Sequence, residues 1–228
     1  MSEYKYILFD ADNTLFDFDK CETEAFKLAI AKSGVEFSDE LYATYHVINE
    51  GLWKLLEQGG IERATLKTER YRLLFEKYGI ERDIYRDVAK DYEHFLGDQV
   101  FEIDGVYELL MRLGKRFDIY VITNGLTSVQ ESRFSKSRIT CLVKDVFISE
   151  NVGYAKPDKK YFDHVLSSVG DPDISKYIVV GDSLSSDIDG AINYGFDCCW
   201  YNRCSSDRCG RTPTYEISDI TQIEAILQ

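Results

Sequence analysis

Proline, histidine and positive charge are all scarce in this sequence. Its 228 residues include only three prolines and three histidines, and 27 Lys and Arg are outnumbered by 40 Asp and Glu, giving a formal net charge of −13. With so few prolines, no proline-rich linker separates domains. The acidic balance disfavours a nucleic-acid polymer as partner, because its phosphate backbone attracts Lys and Arg. A local cationic pocket could still hold a small phosphate compound.

Long apolar runs and ordered cysteine patterns are also missing. No run reaches membrane-spanning length, and no basic leader precedes the first apolar segment, so we expect a cytoplasmic protein without a membrane partner. The six cysteines show neither a paired CxxC framework nor zinc-ribbon spacing. A metal site or redox switch at Cys198, Cys199, Cys204 and Cys209 stays open. Reduced, buried or incidental thiols are favoured, because no nearby His completes a ligand set.

Apolar periodicity divides the chain into a helical segment and an alternating segment. After Leu15 the spacing predicts four helices with no strand between them, over 21–33, 39–57, 64–78 and 84–95. Besides a first strand before Asp10, strands are predicted over 119–123, 146–149, 177–181, 198–201 and 215–217. Later helices are predicted over 106–116, 159–169, 185–194 and 220–227.

Alternating strands and helices predict an α/β protein with a doubly wound parallel sheet. The helical segment interrupts this pattern once, directly after the first strand. We therefore predict a discontinuous core formed by residues 1–16 and 99–228, with an inserted helical cap domain at 17–98.

Two carboxylates stand one residue apart directly after the first apolar strand. Asp10 and Asp12 follow Tyr6-Ile7-Leu8-Phe9, and in open α/β sheets ligands bind beyond the carboxyl ends of the strands. Two unpaired carboxylates buried together cost several kcal/mol unless a cation neutralises them. A divalent metal is therefore expected at this pair.

Three further strand ends carry complementary polar groups. Thr123 and Asn124 can donate hydrogen bonds to phosphate oxygens, although a Thr-Asn-Gly turn is more often only a turn. Lys156 precedes a proline that suits the start of a helix, which fixes a single lysine at a strand–helix junction. Asp182 completes an oxygen-ligand set suited to magnesium, whereas Asp187 is also explained as a charge at a helix N-terminus.

The four motifs are Asp-x-Asp-x-Thr, a strand ending in Thr-Asn-Gly, Lys-Pro, and Gly-Asp-Ser-x-x-x-Asp, in that order. Together they resemble the haloacid dehalogenase (HAD) superfamily of phosphotransferases, which has a Rossmann-like core, and the helical insertion resembles its type-one cap. The resemblance implies that Asp10 is a nucleophile forming an aspartyl-phosphate intermediate. It implies that Asp12 protonates the leaving group and later deprotonates water. It also implies a Mg²⁺ cofactor held by Asp10, the Asp12 carbonyl and Asp182.

The same resemblance assigns the remaining polar residues. Lys156 would neutralise the nucleophile and the transferred phosphoryl group, and Thr123 and Asn124 would bind its oxygens. Asp187 would orient Lys156 or metal-bound water. The second acid, Asp12, excludes the dehalogenase branch. Cleavage of a carbon–halogen bond releases a halide rather than an alkoxide, so it needs no acid to protonate the leaving group.

Further motifs, less specific than the four at the strand ends, resemble a bacterial nucleotidase group that acts on pyrimidine nucleoside 5′-monophosphates. They occupy residues 10–19, 45–53, 148–153 and 199–202. Phe18, Asn49 and Trp53 could supply a stacking face and an amide that reads base edges, while packing between cap helices explains Phe18 and Trp53 equally well. We expect a small phosphorylated metabolite, a nucleoside monophosphate, as substrate, and a monomer or weak dimer. The alternatives are a phosphatase for sugar phosphates or phosphoglycolate, and a non-catalytic binding or regulatory protein.

Overall fold

The computed structural model describes residues 4–80 and 82–227. The chain separates into two compact units, which we call the core unit and the helical unit. The core unit comprises Met1–Phe18 and Val100–Gln228, and the helical unit comprises Asp19–Gln99. The core unit is therefore built from two distant stretches of sequence.

Six strands form the sheet of the core unit. They are β1 (Tyr6–Phe9), β2 (Asp118–Thr123), β3 (Asp145–Ile148), β4 (Tyr177–Gly181), β5 (Asp197–Tyr201) and β6 (Tyr215–Ile217). All pairings are parallel, and the spatial order is β3-β2-β1-β4-β5-β6. The predicted parallel, doubly wound sheet is confirmed. The order reverses between β1 and β4, and a crevice for ligands opens at the carboxyl ends of strands at such a point.

Both faces of the sheet are buried. Side chains along a strand alternate between faces, and in β1 Ile7 and Phe9 join one hydrophobic cluster while Tyr6 and Leu8 join the other. All four β1 residues are buried. A strand covered on both sides needs no polar face, which explains why its sequence is a continuous apolar run.

Helices cover the two faces of the sheet. They are α5 (Val106–Leu113), α6 (Thr127–Lys136), α7 (Ser149–Val152), α8 (Lys159–Val169), α9 (Asp189–Tyr194) and α10 (Ile223–Ile226), with 3₁₀ turns at Arg138–Leu142, Ile174–Lys176 and Ile220–Gln222. Nowhere in the described parts of the chain does a helix combine the length and apolarity needed to cross a bilayer.

Several predicted elements differ from the structure. The helix predicted over 106–116 ends at Leu113, and the one predicted over 220–227 begins as a 3₁₀ turn. The strand predicted over 146–149 ends one residue early, because Ser149 begins α7. The single helix predicted over 185–194 is instead a π-helical turn, Leu184–Ile188, followed by α9. A π turn widens the helix locally, and such turns are frequent at functional sites. Here it carries the side chain of Asp187 back toward the end of β4, where that carboxylate accepts the Ser183 N–H at 3.1 Å.

The helical unit is built from long helices. They are α1 (Phe18–Lys32), α2 (Asp39–Glu57), α3 (Arg63–Tyr78) and α4 (Tyr85–Asp98), with a 3₁₀ turn at Arg82–Ile84. Ser38 caps α2, since its side-chain oxygen accepts the Leu41 N–H at 3.1 Å. Gly79 ends α3 with a φ of 63°, a left-handed conformation that glycine adopts without steric cost.

Candidate active site

The polar residues predicted at the strand ends meet at the carboxyl edge of the sheet. Asp10 directly follows β1 and Asp182 directly follows its neighbour β4, while Thr123 ends β2 on the other side of β1. The Asp10 N–H donates to the Val180 carbonyl at 2.8 Å, so the β1–β4 ladder continues into this edge. Asp10 is only 7% exposed. The site therefore lies where the strand order reverses.

Lys156 is buried among three acceptors. Its Nζ donates to Asp10 Oδ1 at 2.6 Å, to Asp187 Oδ1 at 2.7 Å and to the Ile122 carbonyl at 2.8 Å. An ammonium group has three N–H donors, so all of them are used. Burial lowers the pKa of Lys156, but attraction to Asp10 and Asp187 outweighs burial and raises it overall. Lys156 is therefore a fixed cation beside Asp10.

Asn124 holds the main chain of Lys156 from both sides. Its Nδ2 donates to the Lys156 carbonyl at 2.8 Å, and its Oδ1 accepts the Lys156 N–H at 2.9 Å. The side chain predicted to bind phosphate thus lies on the backbone of the lysine, where it positions the cation.

Thr123 is fully buried at the end of β2. Its hydroxyl oxygen accepts the Gly125 N–H at 3.0 Å and a hydrogen bond from Gln130 Nε2 at 3.2 Å. With these two groups on the oxygen, the hydroxyl can donate its own hydrogen to a bound oxyanion. Thr123 is therefore suited to phosphate binding.

Three carboxylates lie close together at this edge of the sheet, and two of them contact Lys156. Oxygens of Asp10, Asp182 and Asp187 lie within 4.8 Å of one another. Burial raises the pKa of Asp10 to about 7, opposed by Lys156 and reinforced by Asp187 and Asp12. Burial, with repulsion from Asp10 and Asp187, raises the pKa of Asp182 well above its ordinary value. A divalent cation would relieve this excess of negative charge, and a set of carboxylate oxygens suits Mg²⁺.

Asp187 is the most fully engaged of these carboxylates. It is fully buried, its Oδ1 accepts from Lys156, and its Oδ2 accepts the Ser183 N–H. A Cβ at position 181 would lie 2.3 Å from Asp187 Oδ2, so only glycine leaves room for this carboxylate. The geometry therefore suits Asp187 to holding Lys156.

The carboxylate of Asp12 is held by two side chains that sequence reasoning missed. Gln130 Nε2 donates to Asp12 Oδ2 at 2.6 Å, and Arg133 Nη1 donates to Asp12 Oδ1. Both donors are fully buried on α6, on the same face as the buried Val129 and Phe134. The ten residues of α6 include only two apolar side chains, so the sequence pattern gave no signal that Gln130 and Arg133 are buried.

Phe18 and Trp53, predicted to contact the substrate, are both half-buried. Phe18 belongs to the core unit, and its N–H donates to Asn13 Oδ1 at 3.0 Å. Trp53 belongs to the helical unit, where the Arg63 guanidinium lies 5.8 Å from the centre of its ring. Each ring therefore keeps exposed surface within its own unit.

Asn49, the third of these residues, is buried inside the helical unit. Its Nδ2 donates to Glu22 at 2.7 Å and its Oδ1 accepts from Arg70 at 3.0 Å. Glu22 is fully buried and Arg70 is 2% exposed, so Asn49 bridges a buried acid and a buried base. Both ends of its amide are thus engaged.

The cysteines form no disulfide within the described residues. Cys198 and Cys199 are buried in β5, and burial raises the pKa of the Cys199 thiol to about 12. Cys204 and Cys209 are exposed. The one group of three or more metal-ligating side chains found among the described residues is the carboxylate cluster at the sheet edge.

Comparison with known proteins identifies the family. A family model for haloacid dehalogenase-like hydrolases matches residues 4–195. Pyrimidine 5′-nucleotidase PynA of Streptococcus pneumoniae is 35% identical over 217 residues, covering 94% of this chain and 91% of that protein. Pyrimidine 5′-nucleotidase YjjG of Escherichia coli is 30% identical over 226 residues, covering 99% of this chain and 98% of that protein. The magnesium-bound crystal structure of the HAD-hydrolase YfnB from Bacillus subtilis matches with a TM-score of 0.93 at 33% identity, covering 99% of each chain.

The chain belongs to the haloacid dehalogenase-like hydrolase family. Within that family it is a phosphoric monoester hydrolase. The family resemblance predicted from the four strand-end motifs is thereby confirmed.

Proposed function

We propose that this protein is a Mg²⁺-dependent 5′-nucleotidase for pyrimidine nucleoside monophosphates that acts through an aspartyl-phosphate on Asp10. The observation that carries the proposal is the contact of 2.6 Å between Asp10 and the buried Lys156, with Asp12 two residues further along the chain. This arrangement supplies a carboxylate nucleophile, a fixed cation and a second acid at one sheet edge.

In the proposed first step, Asp10 attacks phosphorus in line and the ester oxygen leaves. Lys156 neutralises charge on the nucleophile and on the phosphoryl oxygens, and Thr123 donates a hydrogen bond to one of those oxygens. Asn124 and Asp187 hold Lys156 in place from its main chain and its ammonium group. Lys156 is thus held at both its main chain and its ammonium group while it stabilises charge in this step.

Asp12 manages the protons in both steps of the proposed reaction. It gives a proton to the leaving alkoxide, and in the second step it takes one from the water that attacks the aspartyl-phosphate. Water oxygen then bonds to phosphorus, the bond to Asp10 breaks, and phosphate is released. The second acid is needed because a ribose alkoxide is a poor leaving group without a proton.

Mg²⁺ would be held by the carboxylates of Asp10 and Asp182 and by the main-chain carbonyl of Asp12, and it supplies positive charge that offsets the repulsion between nucleophile and phosphate. The crowded carboxylates and their raised pKa values support this assignment. The crystal structure of YfnB is bound to magnesium, which supports Mg²⁺ as the cation.

The choice of pyrimidine nucleotides is supported by PynA and YjjG, which match over more than nine-tenths of this chain. We propose that residues 17–98 act as a cap that selects the substrate, with Trp53 and Phe18 as stacking faces for the base. Asn49 could read a base edge only if its bonds to Glu22 and Arg70 were exchanged for bonds to the substrate.

A substrate panel tests the proposal. Pyrimidine and purine nucleoside monophosphates, sugar phosphates and phosphoglycolate would be ranked by kcat/KM with Mg²⁺ and with EDTA. We expect UMP and related pyrimidine nucleotides to rank first and activity to require Mg²⁺. A sugar phosphate or phosphoglycolate ranking first would refute the nucleotidase assignment, and full phosphatase activity in Asp10→Asn would refute the mechanism.

A further inference from the structure

We propose that Gln130 and Arg133 are positioning residues that fix the direction of the Asp12 carboxylate. The inference rests on the proposed function, in which Asp12 transfers protons to the leaving group and from water. It extends the site to α6, a helix that carries none of the four strand-end motifs.

Each oxygen of Asp12 receives a separate donor. Arg133 Nη1 binds Oδ1, and Gln130 Nε2 binds Oδ2 at 2.6 Å. The two donors come from one face of α6, three residues apart, which places them one above the other along the helix. Rotation of the carboxylate about its Cβ–Cγ bond would break both bonds together. Asp12 is therefore held in one orientation.

Both donors are themselves fixed. The Arg133 guanidinium lies 5.2 Å from the centre of the Phe16 ring, in the turn that also carries Asp12. Gln130 lies so close to Gly125 that a Cβ there would be 2.3 Å from its Nε2. Gln130 also donates to Thr123 at 3.2 Å. One amide thus joins the proton-transfer carboxylate to the hydroxyl suited to phosphate binding.

A purely structural ion pair does not explain Arg133 well. Its side chain is fully buried, and its Nε and Nη2 have no hydrogen-bond partner among the described residues. Burying a guanidinium with unmet donors costs free energy that a single ion pair does not reliably recover. Arg133 is a buried cation that costs free energy and donates to a proposed catalytic carboxylate. This combination favours a role in positioning over a role in stability.

The rates of the two chemical steps distinguish a positioning role from a general structural role, because the two steps can differ in whether they need Asp12. With p-nitrophenyl phosphate the leaving nitrophenolate needs no proton, so the first step is independent of Asp12. The second step still needs Asp12 to accept a proton from water. In Arg133→Met and Gln130→Met we expect kcat for UMP to fall about 10- to 100-fold, as for other residues that orient a catalytic group.

With p-nitrophenyl phosphate, stopped-flow measurement on Arg133→Met, which leaves the Gln130–Thr123 bond in place, should show a burst of about one nitrophenolate per active site. Its rate should stay within about threefold of the wild-type first step, followed by turnover slowed as strongly as that of UMP. The exposed Glu131, on the same helix, provides the matched control, and Glu131→Gln should behave as wild type.

A double-mutant cycle tests whether Arg133 acts through Asp12. In an Asp12→Asn background, adding Arg133→Met should cost less than about threefold in the residual turnover of p-nitrophenyl phosphate. Urea unfolding of each variant would show that it is folded under the assay conditions.

The inference is overturned if both steps slow equally in Arg133→Met, if the cost of Arg133→Met is the same with and without Asp12, or if both variants keep wild-type rates. These outcomes are distinct from failure of the proposed function. That failure would appear as a wild-type protein inactive on both substrates, or as an Asp10→Asn variant that keeps its activity.

Discussion

Replacing Asp10 by Asn is expected to stabilise the protein while abolishing catalysis. Asp10 is 7% exposed, and burial, against the opposing effect of Lys156, raises its pKa from 3.8 to about 7. A shift of about three pKa units corresponds to about 4 kcal/mol of free energy that disfavours the ionised form in the folded state. Asparagine is neutral, has nearly the same shape and can still accept a hydrogen bond from Lys156.

The sign of the pH dependence follows from the raised pKa. Between about pH 4 and pH 7 the folded protein keeps a proton on Asp10 that the unfolded chain has lost, so wild-type stability falls as the pH rises through this range. The destabilisation by the ionised Asp10 is complete above pH 7 and absent below the pKa that Asp10 has in the unfolded chain. Asp10→Asn should therefore gain up to about 4 kcal/mol at pH 8 and almost nothing near pH 4.

Urea unfolding at pH 8 and pH 5 in EDTA measures this difference, with the exposed Asp104→Asn as control for loss of one negative charge. Adding Mg²⁺ at pH 8 should reduce the difference in free energy of unfolding between Asp10→Asn and wild type, because in the proposed site the cation pairs with the Asp10 carboxylate. A variant no more stable than wild type at pH 8, or one with the same gain at both pH values, would contradict the reasoning.

Three further variants, one of them with a matched control, test other residues of the two units. Lys156→Met should lower the free energy of unfolding by about 3–5 kcal/mol at pH 8, measured by urea, because two buried carboxylates lose the ammonium group that pairs with both. Trp53→Ala should raise KM for UMP much more than for p-nitrophenyl phosphate, and equal effects would exclude base stacking. Gly181→Ala should reduce kcat by about 10- to 100-fold, because its Cβ displaces Asp187. The matched Gly51→Ala, in the interior of α2 with open space around it, should instead raise stability by about 0.5–1 kcal/mol.

The sheet and the positions of its polar ends could be predicted because they depend on local sequence. A short apolar run followed by Asp10, repeated before Thr123 and Asp182, indicates buried parallel strands, and parallel strands bring their carboxyl ends to one edge. The sequence could not show the direction of each side chain at that edge. Asn124 could equally bind a ligand or the main chain of Lys156, because both need the same amide in the same turn.

Residues whose partners are distant in sequence were beyond sequence reasoning. Arg133 lies on a helix with many polar residues, where a solvated arginine is the ordinary expectation, yet its partner Asp12 is 121 positions away. Asn49 was expected to face a ligand because of its motif. Its burial depends on Glu22 and Arg70, at separations of 27 and 21 residues. Such pairs depend on how helices pack, which local periodicity does not specify.

The two carboxylates of the Asp-x-Asp motif are held in different ways, and the difference matches the chemistry proposed for each. Asp10 faces Lys156, whose three donors are all used, so the cation beside the nucleophile cannot turn away. Asp12 is held through both oxygens by donors on one helix, and 26% of its side chain stays exposed to solvent. A nucleophile needs a fixed approach to phosphorus, whereas an acid–base group needs a fixed direction and access to a proton. Arg133, whose Nε and Nη2 have no hydrogen-bond partner in the described parts of the chain, directs Asp12 at a cost in stability. The double-mutant cycle with Asp12→Asn measures how much of its effect on turnover acts through that carboxylate.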